Sequence, residues 1–565
     1  MLCITRDVSN LNRNRLVRRN RVGRRPLGAL SSQVRANNYA IRSAMIWRAS
    51  QRSSSAPICR GVNQAPLSQY NATMNDIQTA LDPNLCPVGA DEHVWSSGTQ
   101  PNWPAGFDAD TVRPGFGGGR LSTYAIALEA WRRGLTVTLL DSALRLYEIS
   151  DGARTIRFNH SRPQTLTSRG AVLKAKDKET AGQLMKSAGA PVPETLSFSP
   201  TQTPMETLAE FADKVGYPVV VKPTRGSLGQ GVTTDIDDAD QLCAVYERVK
   251  QMGSDTEQLL QRQHSGDDLR ILIIGGEYVA AVKRVPANVV GDGSSTVGEL
   301  IIAKNALRSM NPFLSKGLIR VDHEVHTWLG RQDISLDTVP HLDQSIRLRG
   351  IANASAGGDI VDITDKLPEH IRETAIRAAE AIPSLAIAGV DILYDAQKAP
   401  GEDHVVIEIN ARPHIGVNMY PTVGEGQDIP AFLISKFFPD SSPYSASKLG
   451  TVRFNLEANT RPLDMRTASR VDLQAMPVEG FPSRSLLEFS EIPNISVARK
   501  RAILASVDRH HISGWIHTSK GEMMLAGTKD RTSAARVEIL GALRIGPIRT
   551  TQWHGIVEQG FILND

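Results

Sequence analysis

Gly389-Val-Asp391-Ile-Leu-Tyr394 and Val405-Val-Ile-Glu408-Ile-Asn410-Ala-Arg412-Pro-His414 decide how this chain folds and what it handles. Both runs are apolar, rich in β-branched residues and of strand length, yet each carries an acid. Side chains alternate along a strand, so Glu408 and Asn410 share one face while Ile407 and Ile409 take the other. Asp391 sits between Val390 and Ile392, and burying a lone carboxylate is costly unless cations or hydrogen-bond donors compensate. Two compensations are open: pairing with internal arginines, or a metal ion bound by oxygen ligands. A set without Cys or His selects Mg²⁺ or Mn²⁺, which also coordinate phosphates.

Upstream, Tyr217-Pro-Val-Val-Val-Lys222-Pro-Thr-Arg225-Gly226-Ser227-Leu-Gly229-Gln-Gly231 reads as a buried strand that delivers a lysine into a glycine-dense loop. Lysine supplies charge, and glycines let backbone N–H groups approach phosphate oxygens. The order, lysine before glycines, is not that of a Walker A loop. A surface lysine before a flexible hairpin is the competing reading. The triplet Gly117 to Gly119 reads as a turn, since it lacks GxGxxG spacing.

Lys178 in Lys-Asp-Lys, Lys222 with its loop, the segment Gln261-Arg-Gln-His-Ser-Gly-Asp-Asp268, and Asp391, Glu408 and Asn410 resemble the ATP-grasp ligases in order and spacing, over roughly residues 117–439. Within that superfamily, the segments 284–300 and 353–365 resemble the ATP-grasp part of cyanophycin synthetases and of the bifunctional glutathione-synthesising enzymes. The resemblance implies that Lys178 and Lys222 contact ATP phosphates while Arg225, Gly226, Ser227, Gly229 and Gly231 close over them. Gln261 stands where the family usually has a glutamate near the adenine, and Asp268 would hold the ribose. Asp391, Glu408 and Asn410 would carry Mg²⁺ or Mn²⁺. Arg270, Lys283 and Arg412 would neutralise charge on the transferred phosphoryl group or the substrate carboxylate; ordinary ion pairs are the alternative for those three.

The implied reaction is an ATP-dependent ligation in which a carboxylate becomes an acyl phosphate and an amine then displaces phosphate, forming an amide between amino-acid-like substrates. The other classes are a catalytically silent nucleotide-binding protein and acyl-phosphate hydrolysis by the C-terminal module. That module, residues 496–565, resembles a degenerate acylphosphatase: Thr518 follows Gly514-Trp-Ile-His where such enzymes place asparagine, and Arg499 is the candidate remnant of their loop arginine. A non-catalytic docking or carrier-binding role is expected of it. His264 and His414 lie beside the motifs and are read as structural.

Composition agrees with a modular enzyme. With 565 residues, 41% hydrophobic and 22% charged, the chain is long enough for three to four domains and is neither fibrous nor wholly disordered. No apolar run approaches the ~20 residues that cross a bilayer. The four cysteines form no CxxC pair, so neither a zinc site nor a disulfide framework is expected, and a reducing cytoplasm fits. Net charge is +4, with arginine concentrated before Arg60. That arm could be a transit peptide, a nucleic-acid arm or a disordered extension, and the last is preferred because arginines without interleaved aromatics specify little.

The expected fold class is α/β and α+β. Residues 1–70 form the extension, 71–172 a pre-ATP-grasp α/β domain, 173–258 the lid subdomain and 259–440 the metal-binding subdomain. Residues 441–495 form a linker, and 496–565 the C-terminal module. Expected partners are small amino acids or peptides, with no nucleic acid and no membrane; assembly of identical chains is compatible with the resemblance.

Overall fold

The computed structural model describes residues 102–116, 119–225, 231–251, 257–445, 451–477 and 479–564. The expectations for the arginine-rich arm and for Gly226, Ser227 and Gly229 therefore lie outside the described residues. All those described belong to one unit, Thr73–Asp565.

Helix α1 (Arg120–Arg132) begins at Gly119, whose φ of 80° is a left-handed conformation that glycine adopts without strain. Almost every residue of α1 is buried, so it lies inside the main core rather than along its surface. Two of its polar side chains find partners far downstream: Trp131 Nε1 donates to the Gln474 carbonyl at 2.8 Å, and Arg132 Nη2 to that of Val452 at 2.6 Å.

Strands β1 (Thr136–Leu139), β2 (Leu146–Ser150), β3 (Thr155–Asn159) and β4 (Arg162–Pro163) follow as an antiparallel meander. Helix and strands follow one another in this region, expected as an α/β domain, and the sheet they form is antiparallel. Short turns set this direction, because a parallel pair needs a long crossover. Asp141 Oδ2 accepts the Leu146 N–H at 2.8 Å, and Asp151 Oδ1 accepts that of Arg154 at 2.7 Å.

Helices α2 (Arg169–Lys176) and α3 (Lys178–Ser187) lead to the second sheet. Its strands are β5 (Thr195–Phe198), β6 (Val219–Pro223), β7 (Thr233–Ile236) and β8 (Gln258–Arg262), in the order β5-β8-β6-β7. Helices α4 (Met205–Val215) and α5 (Ala239–Gln251) pack with this sheet, and Leu208, Val219, Val221, Leu242 and Leu260 form a separate small core.

The third sheet starts with β9 (Asp267–Ile274) and β10 (Glu277–Val285). An insert then contributes β11 (Asn288–Val290), α6 (Val297–Met310), α7 (His323–Gly330) and β12 (Ser345–Arg347) around its own core of Val289, Val297, Ile301, Leu329 and Ile346. A buried Asp359 ties this insert down, accepting from Lys304 Nζ at 2.5 Å, Asn288 Nδ2 at 3.0 Å and Arg308 Nη1 at 3.2 Å. The sheet is completed by β13 (Asp359–Asp362), β14 (Ile387–Tyr394) and β15 (His404–Asn410), with α8 (Glu369–Glu380) against one face, in the order β13-β10-β9-β14-β15. Helix α9 (Ile429–Phe437) returns to pack on α1.

Residues 441–495, expected as a linker, are structural. Within them β16 (Val452–Phe454), α10 (Leu456–Asp464) and β17 (Val471–Asp472) form, and β17 pairs with β1. Apolar Val452, Phe454 and Leu473 join the α1 core, a demand that the Ser- and Pro-rich composition of 440–447 concealed. Strand β18 (Ser483–Glu488) opens the C-terminal module, continued by α11 (Val497–His510), β19 (Ser513–His517), β20 (Glu522–Gly527), α12 (Lys529–Leu543) and β21 (Arg549–Gln552). These run β-α-β-β-α-β in a split arrangement, with β22 (Val557–Gln559) leaving to pair with β16 and β23 (Phe561–Asn564) capping the edge beside β19.

Gly514 allows the β19–β20 pair to close. A Cβ there would stand 2.0 Å from the Met524 carbonyl oxygen, a backbone atom that cannot swing aside. Gly514→Ala is expected to destabilise the module by at least ~2 kcal/mol, read from urea unfolding followed by fluorescence of the adjacent Trp515.

Candidate active site

The polar face of the third sheet is set by strand register. Arg270 on β9 is the register partner of Asp391 on β14, and Asp391 in turn of Glu408 on β15. One rung therefore carries base, acid and acid, and Asn410 follows Glu408 on the same face. Arg284 on β10 opposes Asp268 on β9, extending this face by two residues of opposite charge.

The pairs are made. Arg270 Nη2 donates to Asp391 Oδ2 at 3.0 Å, and Arg284 Nη2 lies 2.5 Å from Asp268 Oδ1 and 3.4 Å from Asp391 Oδ2. Burial pushes the carboxyls of Asp391 and Asp268 above the usual aspartate range despite these arginines, while Asp391 and Asp268 outweigh burial at Arg284 and raise its guanidinium. Glu408 differs. Burial alone would raise it, but Lys178, the Asn410 amide and Arg270 overcome that and hold its carboxyl at about 2.

Lys178 bridges the second sheet's subdomain and this acidic rung. It is the first residue of α3, and Asp177 caps that helix by accepting from Thr180 N. The Lys178 N–H bonds the Thr224 carbonyl just beyond β6, and its Nζ lies 3.2 Å from Glu408 Oε2. Lys222, at the end of β6, is buried; burial and the neighbouring Lys178 lower its ammonium to about 8, and Glu408 opposes that shift. Three chain-distant residues, Lys178, Lys222 and Glu408, thus share one electrostatic site. Arg225 Nε donates to Asp177 Oδ2 at 3.2 Å at the root of the loop, and Gly231 resumes the described chain beyond it, with φ 74°.

Gln261 lies on β8 between Thr195 and Val220 in register, and its Nε2 donates to Thr195 Oγ1 at 2.6 Å. Its amide oxygen is an acceptor with no side-chain or backbone donor among the described residues. Lys283 is not brought into the cluster. It neighbours Arg284 on β10, so alternation turns it to the other side, where Nζ meets Asp267 Oδ1 at 2.8 Å. Reading Lys283 as a charge-neutralising residue of the site followed sequence proximity and missed the strand parity.

Arg270 has room because Gly389 has no side chain: a Cβ there would lie 2.9 Å from Arg270 Nη1 and 3.0 Å from Pro413 Cβ. Arg412 leaves the end of β15 and donates from Nη1 to Asn159 Oδ1 at 3.0 Å, reaching the meander of the first sheet. His414 Nδ1 lies 3.1 Å from Ser122 Oγ on α1, and burial with the positive charge of His160 and Arg270 pushes it down to about 4, so the ring is neutral near pH 7. Sequence reading missed Arg284 as a member of the acidic rung and the whole tip Asn159-His-Ser-Arg162; the one signal for the tip is a polar cluster ending the alternating run Thr155 to Asn159.

Asp391, Glu408 and Asn410 are hard oxygen donors on adjacent strands, and Glu408 stays ionised throughout the physiological range. That donor set fits a divalent cation of the Mg²⁺ or Mn²⁺ class.

Residues 190–299 match the family model described as "Prokaryotic glutathione synthetase, ATP-grasp domain". The chain is 34% identical to a cyanophycin synthetase of Trichormus variabilis over 331 residues, covering 56% of this chain and 35% of that protein. It is 30% identical to the bifunctional glutathione biosynthesis protein of Listeria innocua over 319 residues, covering 55% of this chain and 40% of that one. In a comparison of folds, the bifunctional glutathione synthetase from Pasteurella multocida aligns with 57% of this chain and 43% of its own at 25% identity, with a TM-score of 0.46. The chain spans well under half the length of the curated relatives it matches.

Proposed function

We propose that this chain, whose residues 190–299 match an ATP-grasp domain model of the glutathione synthetase type, is an ATP-dependent carboxylate-amine ligase joining amino-acid-like or peptide substrates. The observation that supports this best is the meeting of Lys178, Lys222 and Glu408 beside the Asp391–Arg270 pair. A carboxylate resists an amine because oxide is a poor leaving group and the two form a salt. Transfer of the ATP γ-phosphoryl group to the carboxylate removes that obstacle, and the amine then expels phosphate.

The chain's part is positioning and electrostatics. Lys178 and Lys222 hold the phosphates from the lid side. Lys222, whose ammonium is depressed while buried beside Lys178, gains a compensating negative charge when a polyphosphate arrives. Gln261 offers its amide oxygen to the adenine amino group. Arg270 and Arg284 sit where charge develops on the transferred group. Asp391, Glu408 and Asn410 would hold a divalent cation, which when bound offsets phosphate charge. No covalent nucleophile is required.

In the C-terminal module, Thr518 and the loop carrying Glu491 and Asn494 line a common cavity. A carboxylate at Glu491 disfavours an acyl phosphate there, which supports a docking role rather than hydrolysis. Among the described residues no helix is long and apolar enough to cross a membrane.

Incubating the protein with Mg-ATP, pools of amino acids and an amine is expected to give substrate-dependent phosphate release, with the amide identified by mass. Nucleotide binding without release under any carboxylate would sink the ligase reading in favour of a silent nucleotide-binding protein.

A further inference from the structure

The first sheet presses one tight turn into the site. β3 and β4 are joined by His160 and Ser161, and Asn159 and Arg162 are register partners across that turn. The turn is fixed on several sides. Ser161 is fully buried and its Oγ donates to the Pro413 carbonyl at 2.5 Å, Tyr147 donates its hydroxyl to the His160 carbonyl at 3.0 Å, and His160 N donates to the Arg145 carbonyl at 2.7 Å. Arg412 closes the contact from the other side through Asn159. Arg412 stands in the bend two residues beyond Asn410, and Pro413 flanks Gly389 beside Arg270. The tip therefore meets the chain directly beyond the acids.

Charge is unbalanced there. Arg270 and Arg284 each have a carboxylate, whereas neither Arg162 nor Arg412 forms an ion pair among the described residues. The buried Arg162 Nε has no hydrogen-bond partner among the described residues. Burial and the charge of Arg412 lower the Arg162 guanidinium, and the same Arg412 helps to lower His160. Arg162 is half-buried and Arg412 exposed; their like charges oppose each other, and the unused buried donor of Arg162 is a place for an acceptor. Guanidinium forks match carboxylates, and two of them converging from different subdomains match an anion placed between.

We propose that Arg162 and Arg412 form a subsite for a second anionic group on the carboxylate substrate, so that the acid activated by this enzyme carries at least two negative charges. This rests on the ligase reading above. The acid to be activated lies at the Arg270 end, nearest the phosphoryl group, and its second anion reaches one or two residues further along the chain to the hairpin tip. Arg162 is a specificity residue contributed by the first sheet, and its distance in sequence from the acids is why no motif reveals it.

The test uses the full chain with Mg-ATP and hydroxylamine as the amine, measuring hydroxamate. Carboxylates are N-acetyl peptides ending in aspartate or glutamate, each beside its partner ending in asparagine or glutamine, so that only the second charge differs. The acidic members are expected to react with kcat/KM at least ~10-fold above their amide partners. In Arg162→Gln, KM for the acidic members should rise roughly 10- to 100-fold with kcat changed less than about twofold, the amide members should be unaffected, and Arg162→Lys should recover part of the loss. Equal use of acids and amides by the native chain, or an Arg162→Gln variant that loses kcat with KM unchanged, would overturn the subsite while leaving the ligase intact. Absence of hydroxamate and of phosphate release with every carboxylate would overturn both.

Discussion

Glu408→Gln is expected to lower turnover by ~10³-fold or more while the protein remains folded. The substitution keeps the shape of the side chain and removes its charge, which Lys178 meets at 3.2 Å and which completes the acidic rung with Asp391. Steady-state phosphate release checks it; a variant retaining near-native rate would remove Glu408 from the machinery. Stability should respond to pH in a defined direction. The Glu408 carboxyl is held at about 2, below its ordinary 4.5, so its contribution is present above that ordinary value and is lost as pH falls toward 2. The native chain should therefore be the more stable one at neutral pH, and the gap to Glu408→Gln should close between these two pH values in thermal melts.

Lys222→Met should abolish turnover to a similar degree and yet raise the melting temperature of the unligated protein at pH 7. The linkage runs opposite to that of Glu408. A lysine whose folded ammonium sits at about 8 instead of 10.5 binds fewer protons folded than unfolded over that interval. Native stability consequently rises with pH across it, and at lower pH the buried charge is a standing penalty. Methionine keeps the stem and deletes the charge, so the gain should be full below about pH 8 and fade by 10.5. Unchanged or lowered melting at pH 7 would show that Lys222 is not strained in the unligated state. Mg-ATP should stabilise the native chain and not the variant.

Much of this site was legible because strands announce themselves. The acids at 391 and 408 stand out against β-branched neighbours, and the alternation that puts Glu408 and Asn410 together is a property of the backbone. The helices at 178–187 and 205–215 follow their apolar spacing and stop before Gly189 and Gly216. Lys283 shows the limit: proximity to Arg284 in sequence means the opposite side of the sheet. The hairpin tip at Arg162 was invisible because its meaning arises only when Ser161 docks on Pro413, a contact across 252 positions. Strand β16 was hidden for a like reason, since its parallel partner β22 is the chain's penultimate strand. Asp391 could not be assigned between arginine and metal from its neighbours alone, because the choice depends on which strands become neighbours; the described arrangement has arginines on it and on Asp268, which was read as holding the ribose.

Helix α1 has a temporal consequence for synthesis. Arg132 finds its carbonyl 320 positions downstream, Trp131 finds its own 343 downstream, and Val557 closes the same core. On the ribosome this helix is made long before Val452, Gln474 and Val557, and it stays without that cover until they have been added. A product that stops before Val452 has the strands of the acidic rung but leaves the apolar surface of α1 uncovered, and exposed apolar surface of that kind favours aggregation.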